Sequence, residues 1–176
     1  MFSDRHLSHN NTHSCSSCHD IATNGASANV HDTRGGQPIA LNTPTVFNVS
    51  LNFRLNWEGN FRSLEEGIEQ SLRNPAIMAS SVDEAVGKLR ADPEVVDQFR
   101  DAYGRELDVA ALLDAIATYE RSLVTPGSRF DRWLTGETDA LTPEELSGYQ
   151  IFKSLGCITC HQGVNVGGNF RPPDIG

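Results

Sequence analysis

The chain has few of the features that mark membrane proteins and nucleic-acid-binding proteins. No apolar run approaches the roughly 18 residues that a membrane-spanning helix needs, and hydrophobic residues make up only 38% of the sequence. Acidic residues outnumber basic ones by 23 to 14, which gives a formal net charge of −9. Because a surface of this sign repels nucleic acid and anionic lipid, neither is an expected partner.

Motifs of several large enzyme classes are also missing. The sequence has no phosphate-binding loop, no glycine fingerprint for a dinucleotide and no His-Glu-x-x-His zinc motif. Sulfur-containing side chains are scarce, with four cysteines and two methionines in 176 residues. The positions of these few residues therefore carry much of the information.

All four cysteines fall in two copies of one pentapeptide, Cys-x-x-Cys-His, at residues 15–19 and 157–161. This spacing is typical of haem c attachment, in which both thiols bind vinyl groups of one porphyrin and the adjoining histidine coordinates the iron. Two copies predict two covalently bound haem c groups. The expected cofactor-binding residues, with both histidines as iron ligands, are Cys15, Cys18, His19, Cys157, Cys160 and His161.

Two other interpretations of the cysteine pairs stay open at this point. Cysteines two residues apart also hold zinc, and a Cys-x-x-Cys pair can form a thioredoxin-like redox centre. Neither alternative requires a histidine directly after the second cysteine, yet one follows in both copies. We therefore favour haem c.

Residues 3–50 predict loops around the first motif, helices are predicted from Ser63 onward, and no segment shows persistent period-2 alternation. Capping residues precede acidic or periodic apolar stretches at five positions, which are Ser63, Ser81, Asp92, Asp108 and Thr142. The expected fold class is all-α and cytochrome c-like, with two haem c units and long loops. We place the N-terminal unit at residues 1–124 and the start of the C-terminal unit at residues 125–176, where we expect the second unit to be truncated.

Several segments resemble the bacterial dihaem cytochrome c peroxidases, a family that includes the dihaem enzymes that mature tryptophan tryptophylquinone. These segments are residues 1–8, 42–48, 56–59, 74–75, 119–126, 128–131, 156–163 and 165–168. The resemblance extends over essentially the whole chain. Because the chain ends soon after the second motif, we expect it to be a fragment of a longer protein.

The resemblance implies a peroxidase that reduces hydrogen peroxide to water at the N-terminal haem. Electrons from a small donor protein, a cytochrome c or a cupredoxin, would pass from the C-terminal haem to the N-terminal one. A periplasmic location is implied, although the chain shows no export signal, and a homodimer is left open. Two alternatives remain, which are a dihaem oxidase acting on another substrate and a non-enzymatic dihaem electron carrier.

The resemblance also assigns roles to three residues between the motifs. Trp57 matches a tryptophan on the electron path, although its residue type alone favours a core aromatic. His31 matches a distal ligand of the N-terminal haem, with a solvated loop histidine as an equal alternative. Asn42 matches a ligand of a calcium ion between the haems. The expected catalytic residues are thus Trp57 and His31, and the expected further metal ligands are His31 and Asn42.

Some positions depart from the family pattern. Ile77 and Gly67 occupy the places of a distal glutamate and a distal glutamine, and neither side chain transfers a proton. No methionine follows the second motif to act as the sixth ligand of its haem, since the only methionines are Met1 and Met78. Three nearby residues are candidate substitutes for the acid–base group, namely Glu66, Glu69 and Gln70.

Overall fold

The part of the chain that the computed structural model describes, residues 1–27, 33–34, 37–38 and 41–166, is mainly helical. Its α-helices are α1 (Leu64–Arg73), α2 (Val82–Leu89), α3 (Pro93–Tyr103), α4 (Val109–Ser122), α5 (Arg129–Leu134) and α6 (Pro143–Ser154). Short 3₁₀ turns occur at Arg5–Leu7, Cys15–Ser17, Val49–Leu51 and Cys157–Thr159. The antiparallel strands β1 (Thr33–Arg34) and β2 (Gln37–Pro38) form a minimal hairpin. The predicted all-α class is confirmed, and no described helix is long and apolar enough to cross a membrane.

The predicted helix starts are also confirmed. In each case a side-chain oxygen accepts a hydrogen bond from a backbone N–H in the first turn, and the capping residues are Ser63, Ser81, Asp92, Asp108 and Thr142. Thr142 and Glu145 form a complete capping box at α6. At α1, the Glu66 carboxylate accepts from the backbone N–H of Arg62 at 3.1 Å. In a standard capping box it would accept from the backbone N–H of the N-cap residue, Ser63.

The buried core lies in residues 1–124, which we call the N-terminal region. Helices α1, α2 and α4 each bury one apolar face, and the largest fully buried side chains include Leu72, Leu89, Leu112 and Ile116. The first residues of the chain also belong to this core, since Phe2 and Leu7 are buried in it. Lys88 fastens the opening segment to α2 by donating to the carbonyl oxygens of Ser8 and His9 at 2.8 and 2.6 Å.

Residues 125–166, which we call the C-terminal region, are built differently. Among them Ala140 is the one buried residue. Helix α5 was not predicted, because its six residues are too few to show a helical period; Ser128 and Asp131 begin it with a capping box. Phe130 and Trp133 pack against Tyr149 of α6 with ring centroids 5.2 and 5.6 Å from its centroid. This aromatic contact joins the two helices with little burial.

Candidate haem sites

The two pentapeptides fold into the same tight turn. In the first, the backbone N–H groups of Cys18 and His19 donate to the Cys15 carbonyl at 3.1 and 3.0 Å. In the second, those of Cys160 and His161 donate to the Cys157 carbonyl at 3.2 and 2.9 Å. Each turn therefore brings two thiols and one imidazole together within five residues, as attachment to a single porphyrin requires.

The first turn opens onto a cavity of about 390 Å³ in the N-terminal region. Cys15, Cys18 and His19 line one part of it. Much of the remaining wall is apolar and comes from the loop before α1, from α1 itself and from α4; it includes Leu41, Val46, Val49, Leu55, Phe61, Leu64, Ile68, Leu72 and Ile116. A largely apolar cavity with a few polar groups is typical of a cofactor site, so the residues present fit a covalent haem.

The His19 imidazole is oriented by a backbone carbonyl. Its Nδ1 lies 3.1 Å from the carbonyl oxygen of Gly25. A carbonyl only accepts hydrogen bonds, so Nδ1 carries the proton and Nε2 keeps the lone pair that binds a metal. The His19 ring also lies beside Phe2, with ring centroids 6.2 Å apart. His19, the predicted proximal ligand, is thus held in the tautomer that leaves Nε2 free of a proton and able to bind haem iron.

Gly25 is a functional position that the sequence argument missed. Its φ of +71° is left-handed, and a Cβ atom there would lie 2.7 Å from a ring carbon of Phe47. Its carbonyl also accepts a hydrogen bond from the Val46 backbone N–H at 3.1 Å. Only glycine accommodates both the left-handed φ and the close approach of the Phe47 ring. The Asn24-Gly25 pair is typical of a turn. Nothing in the sequence connects that turn with the His19 imidazole.

The Cys15 side chain is electrostatically suited to a thioether. Burial, together with the nearby Glu120 carboxylate, raises the pKa of the Cys15 thiol to about 12. A neutral sulfur is therefore favoured at this position, and a thioether is neutral. Within the described ranges, no group of three or more His, Cys, Asp or Glu side chains is arranged to hold a metal ion. The zinc interpretation finds no support in this part of the chain.

The second motif lies at the surface. Cys160 is exposed, while Cys157 and His161 are half-buried. The His161 ring packs edge-on against Phe152 of α6 with centroids 6.0 Å apart. Large apolar side chains around the motif are exposed, among them Ile151, Leu155, Ile158 and Val164. A porphyrin bound to Cys157 and Cys160 would cover apolar surface of this kind, so these residues also fit a haem.

Trp57 lies at the wall of the first cavity and outside the core. It lines the cavity, and 45% of its surface is exposed. The core-aromatic interpretation of Trp57 is therefore wrong. Its indole N–H donates to the backbone carbonyl of Asn42 at 2.7 Å, and Asn42 lines the same cavity. The structure brings together the predicted electron-path residue and the predicted calcium ligand, while both roles stay predictions.

Two other residues bear on the iron ligands, His31 for the first haem and Met78 for the second. His31 falls within residues 28–32, outside the described residues, so its role as a distal ligand stays a prediction. Met78 is buried in the N-terminal core and lines the first cavity. Met78 thus lies beside the space proposed for the first haem.

The cavity wall also separates the candidate acid–base residues. Gly67, Gln70 and Ile77 line the cavity. Glu66 and Glu69 do not contribute to the wall: Glu66 accepts from the Arg62 backbone, and the Glu69 carboxylate lies 2.6 Å from the Arg73 guanidinium. Of the three candidate substitutes, Gln70 is therefore the one beside the haem space.

Glu120 of α4 is a further residue that the sequence argument missed. Among the lining residues that the structure describes, it contributes the one carboxyl group. Burial raises the pKa of Glu120 to about 7, with a further contribution from the charge of Glu65. A carboxyl group that titrates near neutral pH can both take up and release protons.

Comparisons with known proteins agree with this architecture. The sequence profile of a family described as Di-haem cytochrome c peroxidase matches residues 1–139. Cytochrome c551 peroxidase of Nitrosomonas europaea is 38% identical over 172 residues, covering 96% of this chain and 51% of that protein. Cytochrome c peroxidase Ccp of Escherichia coli is 38% identical over 175 residues, covering 98% of this chain and 38% of that protein. A MauG-like protein associated with microbial copper homeostasis matches in structure with a TM-score of 0.83 at 26% identity, covering 98% of this chain and 53% of that one.

A helical fold with two haem-attachment turns, one of them opening onto an apolar cavity, defines a dihaem c-type cytochrome. The chain belongs to the di-haem cytochrome c peroxidase family, as the matched profile covers most of its length. The predicted family is thereby confirmed, and haem c is the cofactor that this membership supports. The chain spans about half, or less, of the length of the two peroxidases named above.

Proposed function

We propose that the protein containing this chain reduces hydrogen peroxide to water, with peroxide reacting in the cavity of the N-terminal region. The observation that carries the proposal is the meeting of Cys15, Cys18, His19 and Trp57 at one cavity. The identity of 38% to a named cytochrome c551 peroxidase supports it. We propose residues 1–124 and 125–176 as the two haem units, with electrons passing from the second haem to the first.

The residues of the first site have different proposed roles in haem binding and in proton transfer. Cys15 and Cys18 would attach the porphyrin and His19 would offer Nε2 to the iron, while the Gly25 carbonyl fixes the imidazole ring through Nδ1. Haem iron, when bound, would provide the coordination site for peroxide and pass on to it the electrons that the donor supplies. Gln70 offers a hydrogen-bond donor and acceptor at the cavity wall, and Glu120 offers a titrating carboxyl group.

The partners and cofactors beyond haem c belong to the same proposal. A small donor protein, a cytochrome c or a cupredoxin, would dock through a basic surface, because the net charge of this chain is −9. The proposed compartment is the periplasm, where bacterial haem c is attached. A calcium ion at Asn42, a distal ligand at His31 and a homodimer stay predictions.

One observation at the cavity wall favours the two alternative functions. Ile77 lies at the cavity wall where the family pattern has a glutamate. An apolar side chain there moves no proton, so peroxide cleavage loses one acid–base catalyst. This favours either of the two alternatives, a dihaem oxidase acting on another substrate or a dihaem electron carrier.

Restoring the missing carboxyl group tests the peroxidase against these alternatives. The holoprotein with both haems is mixed with hydrogen peroxide and a reduced donor, and turnover is followed by absorbance. The unmodified protein should consume peroxide, and the Ile77→Glu variant should do so about 100-fold faster, since a positioned general acid–base group contributes on that order. Ile77→Gln is the matched control, because it adds polarity and volume without a titrating group.

Two results would count against the proposal. Two low-spin haems that do not respond to peroxide in the unmodified protein would indicate an electron carrier. Peroxide-dependent oxidation of an added substrate, without sustained turnover of the donor, would indicate an oxidase.

A further inference from the structure

The segment after the second haem motif is hydrogen-bonded directly to the N-terminal region. Asn165 Nδ2 donates to the backbone carbonyl of Asn48 at 2.9 Å and to Oδ1 of Asn52 at 2.8 Å. Asn165 follows His161 by four residues and is half-buried. The loop that carries the second predicted iron ligand is thus held against the region that contains the first cavity.

Asn48 has each of its polar groups engaged at this contact. Its backbone N–H donates to the Leu123 carbonyl at 2.7 Å, and its carbonyl accepts from Asn165. Its Nδ2 donates to Thr125 Oγ1 at 2.7 Å, and its Oδ1 accepts from the Thr125 backbone N–H at 2.9 Å. One side chain therefore fixes the point where the chain leaves the N-terminal region, and its own carbonyl fixes the loop after the second motif.

The backbone at Asn48 suits this double role. Its φ of 57° and ψ of 10° are left-handed, a conformation that asparagine adopts more readily than most residues. The 3₁₀ turn Val49–Leu51 follows directly. Val49 lines the first haem cavity, and Asn52 ends the turn. A short connection therefore leads from His161 through Asn165 and Asn48 to the wall of the first cavity.

We propose that Asn48, Asn52, Thr125 and Asn165, named here the Asn48 junction, fix the position of the second haem relative to the first and so set the rate of electron exchange between them. The inference rests on the proposed function in one respect, which is that both motifs carry haem. Asn48 and Asn165 act as positioning residues, because they hold the loop of a ligand and make no contact with a reacting atom. Small displacements of reacting centres cost large factors in rate.

The direct test is the Asn165→Ala variant of the holoprotein. A flash-generated reductant places one electron on the two haems, and its redistribution is followed at their separate α bands. We expect redistribution to slow by about tenfold or more, because a loop freed from the junction can move away from the first cavity. The reduction potential of each haem should stay unchanged, so that the slower rate reports geometry and not driving force. Gln162→Ala is the matched control, since the one hydrogen bond of its amide within the described residues is to the Thr159 carbonyl in the same loop, at 3.1 Å.

A second pair of variants covers the case in which Asn165→Ala fails to mature. Asn48→Gly keeps the left-handed backbone but removes both bonds to Thr125, so electron exchange should slow. Asn48→Asp keeps an acceptor for the Thr125 N–H and can accept from the Thr125 hydroxyl, so exchange should be rescued. Wild-type exchange rates in the variants that mature with both haems would overturn the junction while leaving the proposed function intact. A wild-type protein that lacks the second haem would overturn the proposed function and the junction together.

Discussion

The same pentapeptide occurs in two different surroundings in this chain. In the N-terminal region it opens onto an apolar cavity, and a buried glycine carbonyl orients its histidine. In the C-terminal region the same backbone turn lies beside exposed apolar side chains and an aromatic contact. The five residues therefore determine the local turn by themselves, whereas the environment of the haem depends on sequence far from the motif.

Removing the haem attachments should give the largest difference between the two regions. The double variant Cys15→Ser/Cys18→Ser leaves the N-terminal cavity without its covalent occupant, so we expect a loss on the order of 5 kcal/mol in the free energy of unfolding. Cys157→Ser/Cys160→Ser should also lose one haem, but the N-terminal core should unfold as before. Haem stoichiometry by reduced absorbance and denaturant unfolding by circular dichroism measure both effects. Equal destabilisation by the two double variants would show that the regions are not distinct.

A matched pair of leucine truncations sharpens the same comparison. Leu112 of α4 is 0% exposed, whereas Leu155 after α6 is 74% exposed. Leu112→Ala should cost about 3 kcal/mol because it leaves a cavity in a packed core. Leu155→Ala should cost less than about 0.5 kcal/mol, as surface substitutions usually do. Urea unfolding of both variants checks this, and a cost above about 1 kcal/mol for Leu155→Ala would mean that a haem or another part of the protein covers it.

Local signals made the helices predictable. A capping side chain fixes a helix start through bonds that span only a few residues, so Ser81, Asp108 and Thr142 could be recognised without any tertiary information. Helix α5 was missed because its six residues are too few to show a helical period, and because the ring that Phe130 packs against, Tyr149, comes from α6.

The haem environment was predictable only in part, because its remaining residues are distant in the sequence. The predicted attachment residues are close together in the sequence, so the pentapeptide alone is enough to predict them. The Gly25 carbonyl orients His19 from a turn, and the Glu120 carboxylate raises the pKa of Cys15 from helix α4. The fold brings both groups to the motif. For Trp57 the residue type alone favoured a core aromatic, and this alternative is wrong because residue type does not reveal exposure at a cavity wall.

The half-buried carboxyl of Glu120 should give a pH-dependent effect of intermediate size. Its raised pKa means that the folded state binds a proton more tightly than the unfolded state. The stability it contributes is present below its ordinary pKa of 4.5 and is lost as the pH rises through about 7. Glu120→Gln should therefore stabilise the protein by about 2 kcal/mol near pH 8 and have little effect near pH 4. Urea unfolding at both pH values measures the difference, and a parallel pH profile in the two proteins would contradict the burial of this carboxyl.

Glu145 in the C-terminal region should give the smallest effect, with the opposite pH dependence. The two oxygens of its exposed carboxylate accept from Arg129 of α5 at 2.7 and 2.6 Å. The Arg129 guanidinium and the Thr142 backbone N–H lower the pKa of Glu145 to about 2. The contribution to stability is therefore present above the ordinary pKa of 4.5 and is lost as the pH falls toward about 2.

Glu145→Gln should loosen the α5–α6 contact at neutral pH and leave the N-terminal core unchanged. Amide hydrogen exchange in the two helices should become faster by less than about tenfold, because exposed ion pairs contribute little. Glu144→Gln is the matched control, since it removes a carboxylate from the same first turn of α6 and keeps the Arg129 bonds. Faster exchange in the N-terminal core as well would mean that the two regions unfold as one unit, because a local ion pair can affect distant amides only through a shared unfolding step.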